Sequence, residues 1–377
     1  LLNNVSDNWI TVNTNETYTD MVVIATPVLA NANNNPVVSR IQNTGTNSFE
    51  IRLQNPSGGT VGNHKVHYFV VEAGVYTEAI DGIKMEARTF TSDTTAGWNN
   101  WQFENHVLSN NYAHPVILGQ VQSYNDARWS VFWASDTAVR MDPPGRGNSF
   151  SAGKQVGQDT QNSRSDEVIG FIALEAGLYE LDGLVMQADV GADKVKGVEN
   201  AGFLLPSTYN LSPQLQVTGA VVASAAMDGN DGGWPILFGN NPFILNRLQL
   251  AIDEDQIVDA ERTHTNEQVA FLAFGNHLKN PIPGIIQLPL RQASRDVSST
   301  HLAPNPIEKG QEIVLYSPEA QALSNIRILT VDGRGAAIQS ISTADQTIHI
   351  QAELAAGMYF LSYTIGETQQ LERFVIH

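Results

Sequence analysis

Apolar positions along this chain come in short runs that follow one of two patterns. Some alternate with polar residues, as in Phe49-Glu50-Ile51-Arg52-Leu53, and others are apolar at successive positions, as in 21–29, MVVIATPVL, where only Thr26 is polar. Both are strand patterns, one for a half-buried strand and one for a strand covered on two faces. No segment keeps a helical period beyond about two turns, so helices are expected to be scarce. The runs are bounded by clusters of Asn, Asp, Gly and Ser, which terminate strands.

The pattern also returns. Residues 21–40 align without gaps on 115–134 and on 220–239, with Val23, Ile117 and Val222 fixing the register. Each copy reads as an apolar strand, a polar tip (31–35, 124–128, 228–233) and a second apolar strand opened by Pro36, by Trp129-Ser130 or by Trp234-Pro235. This predicts a hairpin used three times. A later strand recurs as VHYFVVEAG (66–74), IGFIALEAG (169–177) and VAFLAFG (269–275), and each copy closes on a strand led by Gly82, Gly183 or Gly284. The middle copy takes the main insertion, 135–166. The expected domains are 1–98, 99–199 and 200–292, with 292–299 a polar linker into a fourth at 296–377. The predicted class is all-β, tandem β-sandwich domains with a C-terminal Ig-like sandwich.

The fourth segment carries an ordered series of pieces. LAPNPI, which contains Pro304, Asn305 and Pro306, precedes an apolar strand at 313–316. Ile326-Arg327-Ile328 then runs into Val331-Asp332-Gly333-Arg334, Leu354-Ala355-Ala356-Gly357-Met358-Tyr359 follows, and Phe374-Val375-Ile376 comes last. Asp332-Gly333 is a hairpin signal, and Gly357 supplies the turn into a strand whose Tyr359 and Phe360 face opposite ways. In that order the pieces resemble the type A C-terminal sorting domain of the Bacteroidota type IX secretion system. The resemblance implies a small Ig-like sandwich that takes cargo across the outer membrane through the type IX machinery. Its sorting signal would rest on Pro304, Asn305, Pro306, Asp332, Gly333, Arg334, Gly357 and Tyr359. A secreted, cell-surface or extracellular protein is therefore expected. Because the chain opens Leu1-Leu2-Asn3 with no signal-peptide pattern, it is expected to be the C-terminal part of a longer polypeptide.

Composition narrows the partners. A net charge of −18 with only 21 Lys plus Arg argues against nucleic acid, which needs a basic face. No apolar run is long enough for membrane insertion as a helix, and without Cys there is neither a disulfide nor a thiolate site. The three copies resemble a module of large exported Bacteroidota surface proteins and, more distantly, the H-type lectin sandwich. The likeness rests on residues 259–267 before Val269, and on Gln158-Asp159 with Arg164-Ser165-Asp166-Glu167 before Val168. The first copy departs from it at Asn63-His64-Lys65, and the likeness marks no sugar-binding residue.

Candidate chemistry is of three kinds. Asp253, Asp255 and Asp259 offer oxygen ligands of the sort calcium takes, although strand-end carboxylates also exist simply solvated. Arg164 and Arg262 precede Glu167 and Glu267, where a guanidinium held by carboxylates would pin a loop to the sandwich edge. Tyr124, Asp126, Trp129, Trp133, Asp228, Asp231 and Trp234 lie at tips and strand bases, where aromatics either stack on surface glycans or fill cores. No His-Glu-x-x-His, nucleophile elbow or phosphate loop is present and the nine His are scattered, so no enzyme is expected.

These readings point to a secreted adhesin that attaches through the loop tips. Two others stand beside it: a filament or hook subunit that contacts copies of itself as a homo-oligomer, and a carbohydrate-binding accessory region of a secreted hydrolase.

Overall fold

The computed structural model describes residues 1–181, 183–201, 207–277, 301–302, 307, 309–316, 323–330, 334–344, 347–365 and 368–376. The chain divides into two compact units, Leu1–Leu278 and Lys279–His377. Both are all-β, and the helix among the described residues is a single turn, α1 (Glu78–Asp81). No helix among those residues is long and apolar enough to cross a membrane.

The first copy supplies β1 (Leu2–Val5), β2 (Ile10–Asn13), β3 (Met21–Leu29), β4 (Val38–Gln42), β5 (Ser48–Gln54), β6 (His64–Glu72), β7 (Gly74–Tyr76), β8 (Met85–Ser92) and β9 (Thr95–Ala96). The second supplies β10 (Glu104–Tyr112), β11 (Pro115–Val121), β12 (Val131–Ser135), β13 (Gly147–Gln155), β14 (Glu167–Glu175), β15 (Gly177–Leu181) and β16 (Leu184–Val190). The third supplies β17 (Thr208–Asn210), β18 (Leu215–Ser224), β19 (Trp234–Phe238), β20 (Phe243–Ile244), β21 (Arg247–Asp253) and β22 (Val269–His277).

The apolar runs behave as their patterns require. β3 and β11 are buried at every position, and β5 alternates between buried and half-buried. In each copy the repeated strand pairs antiparallel with the later one, β3 with β6, β11 with β14 and β18 with β22. The expected hairpins are not formed. β4 pairs with β5, β12 with β13 and β19 with β21, so in all three copies the tip carries the chain from one sheet into another. Two neighbouring strands that are apolar on both faces need a layer above and below them, and placing them in different sheets lets each cover the other.

The copies exchange strands. β8 of the first lies along β14 of the second, from Met85↔Leu174 to Ser92↔Glu167, and β16 of the second lies along β22 of the third. β1 takes the corresponding place on β6. The closing strand expected at Gly284 is outside the described residues. Two parallel contacts complete the exchange, β12 with β18 at Trp133↔Ser224 and β19 with β3 at Leu237↔Val28. Tandem in sequence, the copies are interlocked in space. One apolar core takes Ile24 and Met85 from the first, Ile117 and Phe132 from the second, and Val221 and Leu272 from the third.

β3, β11 and β18 pack on one another at the centre. Polar side chains stitch them there: Gln122 Nε2 donates to Met21 O at 3.0 Å, Gln122 Oε1 accepts Val23 N at 3.2 Å, and Thr26 Oγ1 accepts Val222 N at 3.0 Å. A cavity of about 40 Å³ remains beside Thr26, Gln120, Phe132, Val222 and Trp234. Close approach explains Gly119 in β11, since a Cβ there would stand 2.4 Å from the Phe132 ring. Gly119→Ala is expected to destabilise the unit by about 1–3 kcal/mol through overpacking, read as a lower melting temperature. A variant melting with the wild type would mean that Phe132 moves aside freely.

The carboxy-terminal unit has two four-stranded antiparallel sheets. One holds β23 (His301–Leu302), β24 (Ile313–Tyr316), β27 (Ser340–Ala344) and β28 (Thr347–Gln351). The other holds β25 (Leu323–Thr330), β26 (Gly335–Ala336), β29 (Gly357–Ile365) and β30 (Thr368–Ile376). Leu315 and Ile348 from the first sheet meet Ile328, Leu361 and Phe374 from the second, and together they form one core. Tyr359 stacks on Phe374 at 5.8 Å, and Gly357 opens β29 as expected. Arg334 O accepts Thr330 N at 2.9 Å where β25 meets β26. Pro304, Asn305, Pro306, Asp332 and Gly333 lie outside the described residues.

Candidate functional site

The tips of the interlocked unit are braced from below by buried ion pairs. Glu167 opens β14, is fully buried, and caps the second tip by accepting Asn125 N and Asp126 N, each at 3.0 Å, together with the Ser123 hydroxyl. Its cation is Arg40 of the first copy, 3.6 Å away and also fully buried. Arg40 donates to Asp126 O at 2.9 Å and Arg128 O at 2.8 Å, tying the first copy to the second tip. Burial pulls the Arg40 guanidinium down to about 10, leaving it charged at neutral pH, with Glu167 opposing that shift.

Glu267 repeats this device at the start of β22. Its Oε1 accepts Asp228 N at 2.9 Å and Gly229 N at 3.1 Å, capping the third tip. Here the cationic neighbour is His264, whose Nε2 faces the same oxygen at 2.9 Å. The other ring nitrogen, Nδ1, meets Glu254 Oε1, and Asp231 Oδ1 lies 3.9 Å from it. Burial opposes a charge on His264, but hydrogen bonds to Glu254 and Glu267 outweigh it and hold the ring as an imidazolium. Burial also pushes Glu254 up to about 7 and Asp228 up to about 6, the latter helped by Glu267. Glu267 Oε2 is buried with no hydrogen-bond partner.

The arginines expected to meet Glu167 and Glu267 pair elsewhere. Arg164 holds Asp159 at 2.7 Å and donates to Trp129 O at 3.0 Å. Arg262 holds Asp253 through Nε at 2.8 Å and reaches the first tip at Asn34 O, 2.6 Å. Both pin loops, but with carboxylates at strand ends or within their own loop rather than those opening the next strand. The places the two arginines were expected to take are filled by other cations, Arg40 of the first copy beside Glu167 and His264 beside Glu267.

The three aspartates considered for calcium are not gathered on one point. Asp253 is consumed by Arg262 and by Val37 N at 3.2 Å, and Asp255 accepts Gln158 N at 2.8 Å and Ile257 N at 3.0 Å. Asp259 stands 3.5 Å from Gln158 Nε2. Among the described residues, ligand atoms converge instead at Asp231, Glu254 and His264, all within 4.8 Å of one another.

Of the residues considered for ligand contact, Trp129, Trp133 and Trp234 are interior at 2%, 0% and 4% exposure, so none offers an open ring face. Trp129 packs on Trp234 at 5.3 Å, and Trp234 Nε1 donates to Val37 O at 2.9 Å. Tyr124 is half-buried, with Arg40 and Arg52 over its ring at 4.7 and 4.9 Å. Asp126 is held by Arg128, which keeps its carboxyl well below the usual range. Asp228 and Asp231 are partly exposed at the third tip. The insertion of the middle copy clasps that tip, since Arg140 donates to Gly229 O at 3.0 Å and Asn230 Oδ1 at 2.8 Å while stacking on Trp101.

Residues 301–377 match the secretion system C-terminal sorting domain. The chain therefore carries a type IX sorting domain, which engages the secretion machinery and makes this a secreted protein, at the cell surface or extracellular. No curated protein matches the chain.

Proposed function

We propose that the amino-terminal unit is the attachment head of an exported surface adhesin, presenting its loop tips to a surface ligand. The observation that supports this most is the bracing of the tips: buried Arg40 and Arg262 each run from one copy into the tip of another. Such ties hold exposed loops in one geometry before contact, which lowers the entropic cost of binding. The exported location agrees with a ligand outside the cell, a glycan or another cell surface. Several tips on one body would give attachment by many weak contacts.

The test uses the full chain, labelled, against immobilised polysaccharides, a glycan array and whole cells. Asn33 and Ala127 are exposed residues of the first and second tips. A combined Asn33→Asp and Ala127→Asp variant is expected to lose about tenfold or more in apparent affinity while melting like the wild type. A chain that binds nothing in the panel, or a tip variant that binds unchanged, would remove the reading.

A further inference from the structure

We propose that His264 Nδ1, Glu254 and Asp231 form a binding site for one divalent transition cation of the Zn²⁺ type, with Glu267 orienting the imidazole from behind. The site does not depend on the adhesin reading. Its three ligands come from separate segments, the third tip, the residue after β21 and the loop before β22, and the fold brings their ligand atoms within 4.8 Å.

The imidazole is set up as a metal ligand. His264 is 4% exposed, and its Nε2 is fixed against Glu267 Oε1 at 2.9 Å, so Nδ1 is directed at Glu254 and Asp231. A carboxylate behind the distal ring nitrogen is the arrangement that fixes the tautomer of metal-bound histidine. The surrounding loop has no room for further side chains. A Cβ on Gly229 would stand 2.3 Å from His264 Cε1 and 2.9 Å from Asp231 Oδ1, and one on Gly233 would stand 3.4 Å from His264 Cε1.

Charge points the same way. Glu254, Glu267 and Asp231 surround a single imidazole, while the nearby guanidiniums are committed elsewhere, Arg262 to Asp253 and Arg140 to the carbonyls of the tip. Glu267 Oε2, buried and without a hydrogen-bond partner, is the independent sign that the cluster holds more negative charge than its protein partners satisfy. One nitrogen with two carboxylates suits zinc, cobalt or manganese, whereas calcium takes oxygen ligands. Tetrahedral zinc places ligand atoms about 3.4 Å apart. The Nδ1 to Asp231 Oδ1 distance of 3.9 Å closes by a small movement of Asp231, whose side chain is 34% exposed and opens the site to solvent. On binding, the Nδ1 proton leaves to solvent and the nitrogen lone pair takes its place on the metal.

The full chain, stripped with chelator and titrated at pH 8 with Zn²⁺ by calorimetry and with Co²⁺ by visible absorption, tests this. One equivalent should bind, with the intense d–d bands of a low-coordinate cobalt site, and melting should shift upward. Asp231→Asn should weaken binding by about tenfold or more while leaving the metal-free melting temperature unchanged. Asp7→Asn, at an exposed position of the first copy, should bind as the wild type does. Absence of stoichiometric binding, equal binding by Asp231→Asn, or stabilisation by Ca²⁺ but not by Zn²⁺ would each overturn the proposal, leaving His264 as a protonated bridge between carboxylates.

Discussion

Replacing Arg262 with leucine is expected to destabilise the amino-terminal unit by about 3–5 kcal/mol, because Asp253 would be left buried without its cation. Asp253 is fully buried, and burial already pushes its carboxyl up to about 6 against the pull of Arg262. Removing the guanidinium also frees Ala32 O and Asn34 O, so the first tip loses its tie to the third copy. The double variant Asp253→Leu with Arg262→Leu should recover most of the loss, since an apolar pair needs no desolvated charge. Urea unfolding followed by tryptophan fluorescence reads this unit selectively, because all six Trp precede residue 279. A single-variant loss below about 1 kcal/mol would mean that Asp253 simply takes a proton or meets water, and that the pair braces nothing.

How much of this was legible in the sequence depends on the range of the interaction. The strand content follows from local periodicity and recurring turn residues, which a strand cannot avoid displaying, and the sorting domain was legible as an ordered series of motifs resembling a known family. The partner of each strand was not legible. MVVIATPVL says that β3 is covered on both faces, but not that β6 and β19 flank it or that β4 lies in another sheet. The bracing was legible by type and not by partner. Arg164 and Arg262 do pin loops, yet the cation for Glu167 comes from Arg40, over a hundred positions away in the chain. His264 was one of nine scattered His, and its ligand neighbours at 231 and 254 are joined to it only by the fold. The visible hint was the glycine-rich tip at Gly229, Gly232 and Gly233, a composition that permits close approach without saying to what. Trp129, Trp133 and Trp234 carried both meanings, and interlocking of the copies turned strand-base aromatics into core.

His67 is expected to give the unit a measurable acid dependence. It lies in β6 at 4% exposure, edge-to-face with Phe243 at a ring-centroid distance of 5.3 Å, and burial, aided by the charge of Lys65, pulls its pKa from 6.5 down to about 4. The unfolded chain therefore takes up this proton near pH 6.5 while the folded chain refuses it until about pH 4. The contribution is fully present above 6.5 and is lost as pH falls toward 4, amounting to about 3 kcal/mol over that window. Carboxylates act against it. Asp228, Asp253 and Asp255, all raised to about 6 chiefly by burial, contribute stability at low pH that is lost as pH rises through their folded values. The two trends offset each other in the whole protein, so a flat stability profile would not distinguish them. The informative quantity is the difference between the wild type and His67→Gln, which cannot titrate at this position. Whatever the substitution costs at pH 7.5, the advantage of the wild type over it should shrink by about 3 kcal/mol by pH 4. Parallel profiles for the two chains would mean that His67 is protonated in place, with water or a shifted β6 supplying the solvation that the packed interior lacks.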